Sequence, residues 1–254
     1  MLDNNDALAA ARSAYAYAPF RLDRAAASEQ ADAVLWGQSV VIKGPAAEDA
    51  PRFAAHSSWA LDQHHHRLLR SASDEDVLLG VASVTFWGFA QGRGGRFTTA
   101  RALSRAKNVA GLGKRGGDAA SEIVQKARYI SNLLDRRERQ SAIRQAMTLK
   151  HHGLAFASKL LAFAAPDTDC VYDEVISLRL QSSDDPRLNR LFVPTAGQSR
   201  LADKAAAYEG WAALCAAKAQ QLNGESILWN DWDGQKRPWR AVDVERAFFG
   251  LGRP

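Results

Sequence analysis

The sequence predicts a predominantly α-helical globular protein. Three observations carry that prediction: apolar residues recur at three-to-four spacing along most of the 254 residues, stretches that alternate as strands do are nearly absent, and Gly- or Pro-containing breaks separate segments of helix length. Asp6–Tyr17, Asp23–Trp36, Asp49–Leu61, Asp74–Phe86 and Thr99–Ala110 read as helices, several opened by an Asp whose side chain can accept from free backbone N–H groups. Asp118–Asp135, Arg136–Leu149, Leu154–Ala164, Glu174–Leu180, Leu201–Leu222 and Val242–Phe249 continue the pattern. Only Ser39–Ile42 looks strand-like. The breaks fall at Gly88–Gly95, Gly111–Gly117, Pro166–Thr168, Ser182–Pro186 and Gly224–Pro238, and no repeat or low-complexity tract interrupts them.

Composition narrows the class further. With 46% hydrophobic residues the chain has enough apolar surface for a large core and is too well mixed for disorder. It has no apolar run of about 18 residues, and acidic residues stand at the N-terminus where a secretory signal carries positive charge, so a cytoplasmic protein without membrane association is expected. Cys170 and Cys215 are too few for a disulfide framework or a four-thiolate cluster and read as reduced thiols, with no cofactor implied. The formal charge is +5, but it is unevenly spread. Between Arg93 and Lys150 fourteen basic residues face four acidic ones, a local +10 that leaves the rest of the chain at −5. Such a surplus is the footprint of a surface that follows phosphates, although an Arg-rich solvated helix face produces the same count.

Two constellations can carry chemistry. Leu149-Lys150-His151-His152-Gly153 lies between two helical segments, and a tight turn there would present backbone N–H groups at a helix N-terminus, suited to a DNA phosphate, with Lys150, His151 and His152 as further donors and Gly153 at its exit. A plain helix–helix turn fits equally. Beyond the apolar helix and Pro166 comes Cys170-Val171-Tyr172-Asp173-Glu174-Val175-Ile176, an Asp in apolar surroundings that is either a reactive carboxylate or a helix N-cap. Gly111–Gly116 fits GxGxxG but follows a helix rather than a strand, which removes the dinucleotide-binding geometry. His64-His65-His66 point in different directions on a helix, cannot share one metal, and read as a solvated helix end, so no metal site is expected.

The order of leucine, Gly-containing hairpin, apolar helix and apolar-flanked Asp resembles the helix-hairpin-helix DNA glycosylases. Leu149–Gly153 stands on that superfamily's Leu-Pro-Gly-Val-Gly hairpin, which brings Asp173 within a residue or so of its catalytic aspartate. Lys126-Ala127-Arg128-Tyr129-Ile130-Ser131 resembles the helix before the hairpin, while Val242–Phe249 and Thr85-Phe86-Trp87-Gly88-Phe89 are similar to a bacterial branch with the 8-oxoguanine DNA glycosylase fold. The resemblance runs from Asp74 to the end; residues 1–73 match nothing nameable and are expected to pack as a helical region on the 74–254 core.

What the resemblance implies is a mainly α fold of two helical lobes with the active site in the cleft between them, and a monofunctional, monomeric enzyme that needs no protein partner. It would flip a modified base out of double-stranded DNA and cleave its N-glycosidic bond. Asp173 would be the catalytic carboxylate and Lys126, Arg128, Lys150, His151, His152 and Gly153 the DNA contacts, with Phe86, Trp87, Phe89 and Trp232 around the base. One departure matters: bifunctional members carry a nucleophilic lysine where this chain has Ala155, and Lys159, one turn later on the same face, either partly replaces it as a second catalytic residue or pairs with a carboxylate. The branch further implies defence against phage through excision of α-glucosyl-hydroxymethylcytosine. Repair of 8-oxoguanine and, outside enzymes, non-catalytic DNA binding stay open as alternatives.

Overall fold

The computed structural model describes residues 2–15, 21–22, 34–36, 40–42, 55–90, 99–111, 118–197 and 199–251. It is mainly helical. In chain order the elements are α1 (Asn5–Ser13), β1 (Val34–Trp36), β2 (Val40–Ile42), α2 (Ser58–Leu69), α3 (Asp74–Ala90), α4 (Thr99–Val109), α5 (Ala120–Asp135) and α6 (Arg139–Ala146). Then follow α7 (Leu154–Ala164), α8 (Glu174–Gln181), α9 (Pro186–Asn189), α10 (Leu201–Gly224), β3 (Trp229–Asn230), β4 (Lys236–Arg237) and α11 (Ala241–Gly250). The chain divides into two compact units. Met1–Ala16, Asn132–Thr148 and His152–Pro254 make the first, and Tyr17–Ser131 with Leu149–His151 the second, a division that does not follow the expected boundary at residue 73.

In the first unit α1 packs on α11, α10 on both α11 and α6, and α6 on α7. α7 is apolar almost throughout, and everything from Ala157 to Ala164 is buried. α11 is buried along its whole length to Phe249, so its charged residues Asp243, Glu245 and Arg246 lie inside. A buried charge is costly unless paired, and Asp243 shows how that is met. Its Oδ1 accepts from Arg12 Nε at 3.0 Å and Nη2 at 2.8 Å, and its Oδ2 accepts from Arg240 Nε at 2.7 Å and from the Arg240 backbone N–H. The Arg12 guanidinium also lies 3.6 Å from the Trp229 ring centre. Trp232 Nε1 donates to the Tyr15 carbonyl at 2.9 Å. The tryptophan-rich segment after α10 therefore forms the β3–β4 hairpin and packs α1, with Trp229 and Trp239 buried.

In the second unit α3 packs on α2 and α4. Its first turn carries Asp74, Glu75 and Asp76, which favour a helix N-terminus, and Gly80 lets it approach α2 so closely that a Cβ there would lie 3.0–3.1 Å from Leu68 and Leu69. β1 and β2 pair antiparallel, Val34 opposite Ile42.

The structure corrects several expectations. Val34–Trp36, expected to end a helix, is a strand, because it pairs with Val40–Ile42 in an antiparallel ladder. The histidine run is no solvated helix end: α2 starts at Ser58, capped by Ser57, and runs through it. His64 Nε2 bonds the Leu22 carbonyl, while His65 is fully buried between the Leu61 carbonyl and the Ser83 hydroxyl. Burial first, and then His64, hold the His65 pKa well below 6.5. The helix expected over Arg136–Leu149 is trimmed to Arg139–Ala146, with Arg137 left-handed at φ 63° before it. Gly88 is inside α3 rather than at a break, and α9 is a short helix opened by Asp185 and Pro186. The remainder of Asp23–Trp36, residues 49–54, Arg93, Arg96, Lys114, Arg115 and most of the GxGxxG stretch lie outside the described residues.

Candidate active site

Asp173 sits where α7, the segment before α8, and α11 meet within the first unit. It is the N-cap of α8, extended in backbone, and its Oδ1 accepts from Val175 N at 3.0 Å and Ile176 N at 3.1 Å. Those bonds occupy one carboxylate oxygen and fix the side-chain rotamer. Oδ2 faces Lys159 Nζ at 3.6 Å. The Lys159 side chain is 7% exposed and that of Asp173 22%, so the ammonium is enclosed while the carboxylate reaches solvent. Both alternative readings of Asp173 are thus compatible in one residue: the capping oxygen and the outward oxygen are different atoms.

The backbone leading to Asp173 is tightly held. Tyr172 N donates to Ser158 Oγ at 2.9 Å and Ser158 Oγ donates back to the Tyr172 carbonyl at 3.2 Å, which ties the segment to α7. Trp211 Nε1 donates to the Val171 carbonyl at 3.0 Å. The Tyr172 hydroxyl donates to the Leu191 carbonyl at 2.7 Å and accepts from Val193 N at 2.8 Å; burial pushes its pKa up to about 12. A carboxylate mounted this way keeps its position without reorganising, which is what electrostatic stabilisation of a developing charge requires.

Lys159 comes from the buried helix α7, with the Phe156 ring centre 5.4 Å from its Nζ. Gly153 is the N-cap of α7, with no side-chain cap bond, and a Cβ on it would meet nothing within 4 Å. His152 is buried, edge-on to Phe156 at 6.5 Å. His151 adopts φ 68°, a left-handed conformation, at the place where the resembled hairpin has its first glycine. Histidine here holds a conformation that glycine adopts more readily.

The remaining expected DNA contacts lie in the second unit and are engaged with carboxylates. Lys126 Nζ meets Asp118 at 3.0 Å and Glu122 at 2.7 Å, and Lys150 N donates to the same Asp118, whose pKa is lowered by these partners against the opposing effect of burial. The structure thus brings Lys126 and the start of the hairpin together around Asp118. Arg128 bonds Asp74 at 2.7 Å and the Ser71 and Ala72 carbonyls, tying α5 to the turn between α2 and α3. Phe86 and Trp87 are buried in the core of this unit, while Phe89 is half-buried with the Arg101 and Arg105 guanidiniums 5.6 and 5.5 Å from its ring centre. Trp232 belongs to the first unit.

Glu245 is the member of the site that sequence reasoning missed. It is 3% exposed on α11, close enough for the charges of Asp173 and Lys159 to act on its carboxyl. Burial and then Asp173 push its pKa to about 8, against the opposing effect of Arg246 and Lys159. The available signal was a charged pair, Glu245-Arg246, enclosed by apolar residues on both sides in a short helix. Cys170 and Cys215 are free, buried thiols, both raised in pKa chiefly by burial. No group of three or more metal-ligating side chains occurs among the described residues, and no helix there is long and apolar enough to cross a membrane.

In comparison with known proteins, no family model, curated protein or solved structure matches the chain.

Proposed function

We propose that the chain is a DNA glycosylase with the helix-hairpin-helix glycosylase fold, and that Asp173 is its catalytic carboxylate. The observation that carries the reading is the Lys159–Asp173 pair, in which one carboxylate oxygen is locked by two backbone N–H groups and the other is directed at an enclosed ammonium while still reaching solvent. The hairpin just before α7 and the basic stretch around it supply the surface on which a phosphate backbone would dock.

A base stacked in a duplex cannot be cleaved from its sugar in place, so the target nucleotide is flipped out. As the base leaves, positive charge builds on the deoxyribose, and the outward oxygen of Asp173 stabilises it and orients an attacking water. Lys159 is a turn away from the position of the nucleophilic lysine in bifunctional members and is engaged with Asp173, which favours hydrolysis over a covalent intermediate. The product is an abasic site. For the substrate we propose α-glucosyl-hydroxymethylcytosine of phage DNA, in the manner of the bacteriophage replication inhibition DNA glycosylase that the sequence resembles, with the enzyme acting in the cytoplasm as a monomer.

The test is to incubate the protein with T-even phage DNA, with an 8-oxoguanine duplex and with unmodified duplex, and to reveal abasic sites with alkali. Cleavage of the first, abolished in Asp173→Asn without loss of DNA retention, is expected. Cleavage of the second alone moves the substrate to 8-oxoguanine. Salt-sensitive retention with no abasic sites on any DNA refutes the enzyme and leaves a DNA-binding protein.

A further inference from the structure

α4 of the second unit carries cations and no acidic residue. Arg101 and Arg105 stand one turn apart on it and so share a face. Their guanidiniums converge on one ring, 5.6 and 5.5 Å from the centre of Phe89 near the end of α3, against which α4 packs. Like charges at this spacing repel, and keeping them together calls for a counter-charge. The chain does not supply it: among the described residues neither guanidinium has a hydrogen bond or an ion pair. The carboxylates of α3, Asp74, Glu75 and Asp76, lie in its first turn, about 20 Å from Phe89 along the helix. Lys126 and Arg128 of the same unit, by contrast, are each engaged with carboxylates.

This arrangement has the chemistry of an anion site. A guanidinium drawn to a ring keeps a planar fork of N–H donors that matches phosphate oxygens. The ring contact also restricts its rotamers, so less freedom is lost when a partner arrives. Arg101 is exposed and Arg105 and Phe89 are half-buried, which leaves the donors open to solvent, and the exposed Ser104 adds a hydroxyl on the same face.

We propose that Arg101 and Arg105, held against Phe89, bind the phosphodiester backbone of a DNA duplex, one phosphate to each guanidinium. The proposal rests on the reading of the chain as a DNA-binding enzyme and names a surface on which the second unit holds the strand. Phe89 then supports two phosphate-binding arginines instead of lining a base pocket.

The experiment titrates the full chain against a fluorescent, unmodified DNA duplex by anisotropy, between about 50 and 200 mM NaCl. Each phosphate neutralised contributes about 0.9 to the slope of log affinity against log salt. Arg101→Gln with Arg105→Gln is expected to flatten that slope by about 1.8 and to weaken low-salt binding roughly ten- to a hundredfold. Arg101→Gln alone, at an exposed position, should flatten it by about 0.9 and keeps the test open if the double variant folds poorly. Replacing both arginines with lysine keeps the charge and loses the fork, so the slope should hold while affinity falls severalfold; Phe89→Leu should behave likewise. Arg190→Gln with Arg200→Gln removes the same charge from exposed positions of the first unit and should leave the slope unchanged. A pair that merely packed α4 on α3 would lower the melting temperature without moving the slope. A double glutamine variant with the wild-type slope overturns the proposal, and so does a control pair that flattens it equally. Inorganic phosphate and thymidine monophosphate at matched ionic strength should not displace the duplex; displacement by micromolar mononucleotide makes this a nucleotide site and also overturns it. No retention of any DNA at low salt removes this proposal and the glycosylase reading together. Retention that depends on the pair, with no abasic sites on any DNA, sinks the glycosylase reading alone, and turnover with retention indifferent to the pair sinks this proposal alone.

Discussion

Replacing Asp243 with Asn isolates the largest buried charge arrangement of the first unit. Arg12 and Asp243 are both fully buried, and Arg240 and Arg246 add two more guanidiniums at 2.7 and 3.9 Å from the same carboxylate. Burial pushes the Asp243 pKa up, but Arg240 first and then Arg12 and Arg246 outweigh it and hold it at about 2, against 3.8 unperturbed. That depression alone corresponds to about 2–3 kcal/mol at neutral pH, at roughly 1.4 kcal/mol per pKa unit. The variant also leaves three buried cations without their carboxylate, and breaking a buried pair from one side typically costs about 3–5 kcal/mol. Urea unfolding at pH 7 should therefore show Asp243→Asn less stable by about 3–5 kcal/mol. The sign with pH follows from the depressed pKa. The Asp243 contribution is complete above 3.8 and is lost as pH falls through about 2, so the wild type should lose its advantage over the variant between these values. A loss under about 1 kcal/mol at pH 7, or a difference that does not shrink in acid, would refute the view that these charges hold α1 to α11.

Three further outcomes are expected. Asp173→Ala and Asp173→Asn both remove the carboxylate that faces Lys159, but only the alanine also removes the α8 cap, so in urea unfolding it should be less stable than Asp173→Asn by about 1 kcal/mol, and equal stability of the two would contradict the cap. His151→Gly should leave stability unchanged or raise it slightly, and His151→Val should lower it by about 1–2 kcal/mol, since a β-branched residue resists the left-handed conformation; equal melting of the two variants would contradict the φ of this residue. His65 is buried neutral with a lowered pKa, so its stabilising effect is present above 6.5 and is lost as pH falls toward its folded value. Hydrogen exchange in α2 and α3 should accelerate between pH 7 and 5 beyond the intrinsic pH effect, and His65→Gln should lessen that acceleration.

Much of the helical layout was legible because its causes are local. Leu154–Ala164 was read with the ends it has, since Gly153 precedes an unbroken apolar run and Pro166 follows it. Asp173 was legible as a cap from its place before Glu174, whereas the catalytic role proposed for it comes from the resemblance. The strand at Val34–Trp36 was not legible, because three apolar residues carry no periodicity and the deciding bonds come from β2. Lys159 was weighed between ion pair and nucleophile, and the ion pair with Asp173 is what the structure shows. Trp229 on Arg12 and Trp232 on the Tyr15 carbonyl pack the segment after α10 against α1, contacts that local spacing does not announce.

The sequence by itself determined the position of most helices and the capping Asp173, since backbone bonding and apolar spacing are satisfied within a turn or two of chain. Only the tertiary structure decided which charges lie inside and with whom. Arg12 and Asp243 are 231 residues apart, and the buried Asp169 meets Arg139 of α6 and Tyr208 of α10. Neither pairing leaves a trace in local spacing, because the energy of a buried charge depends on the partner that packing delivers to it and not on its neighbours in the chain.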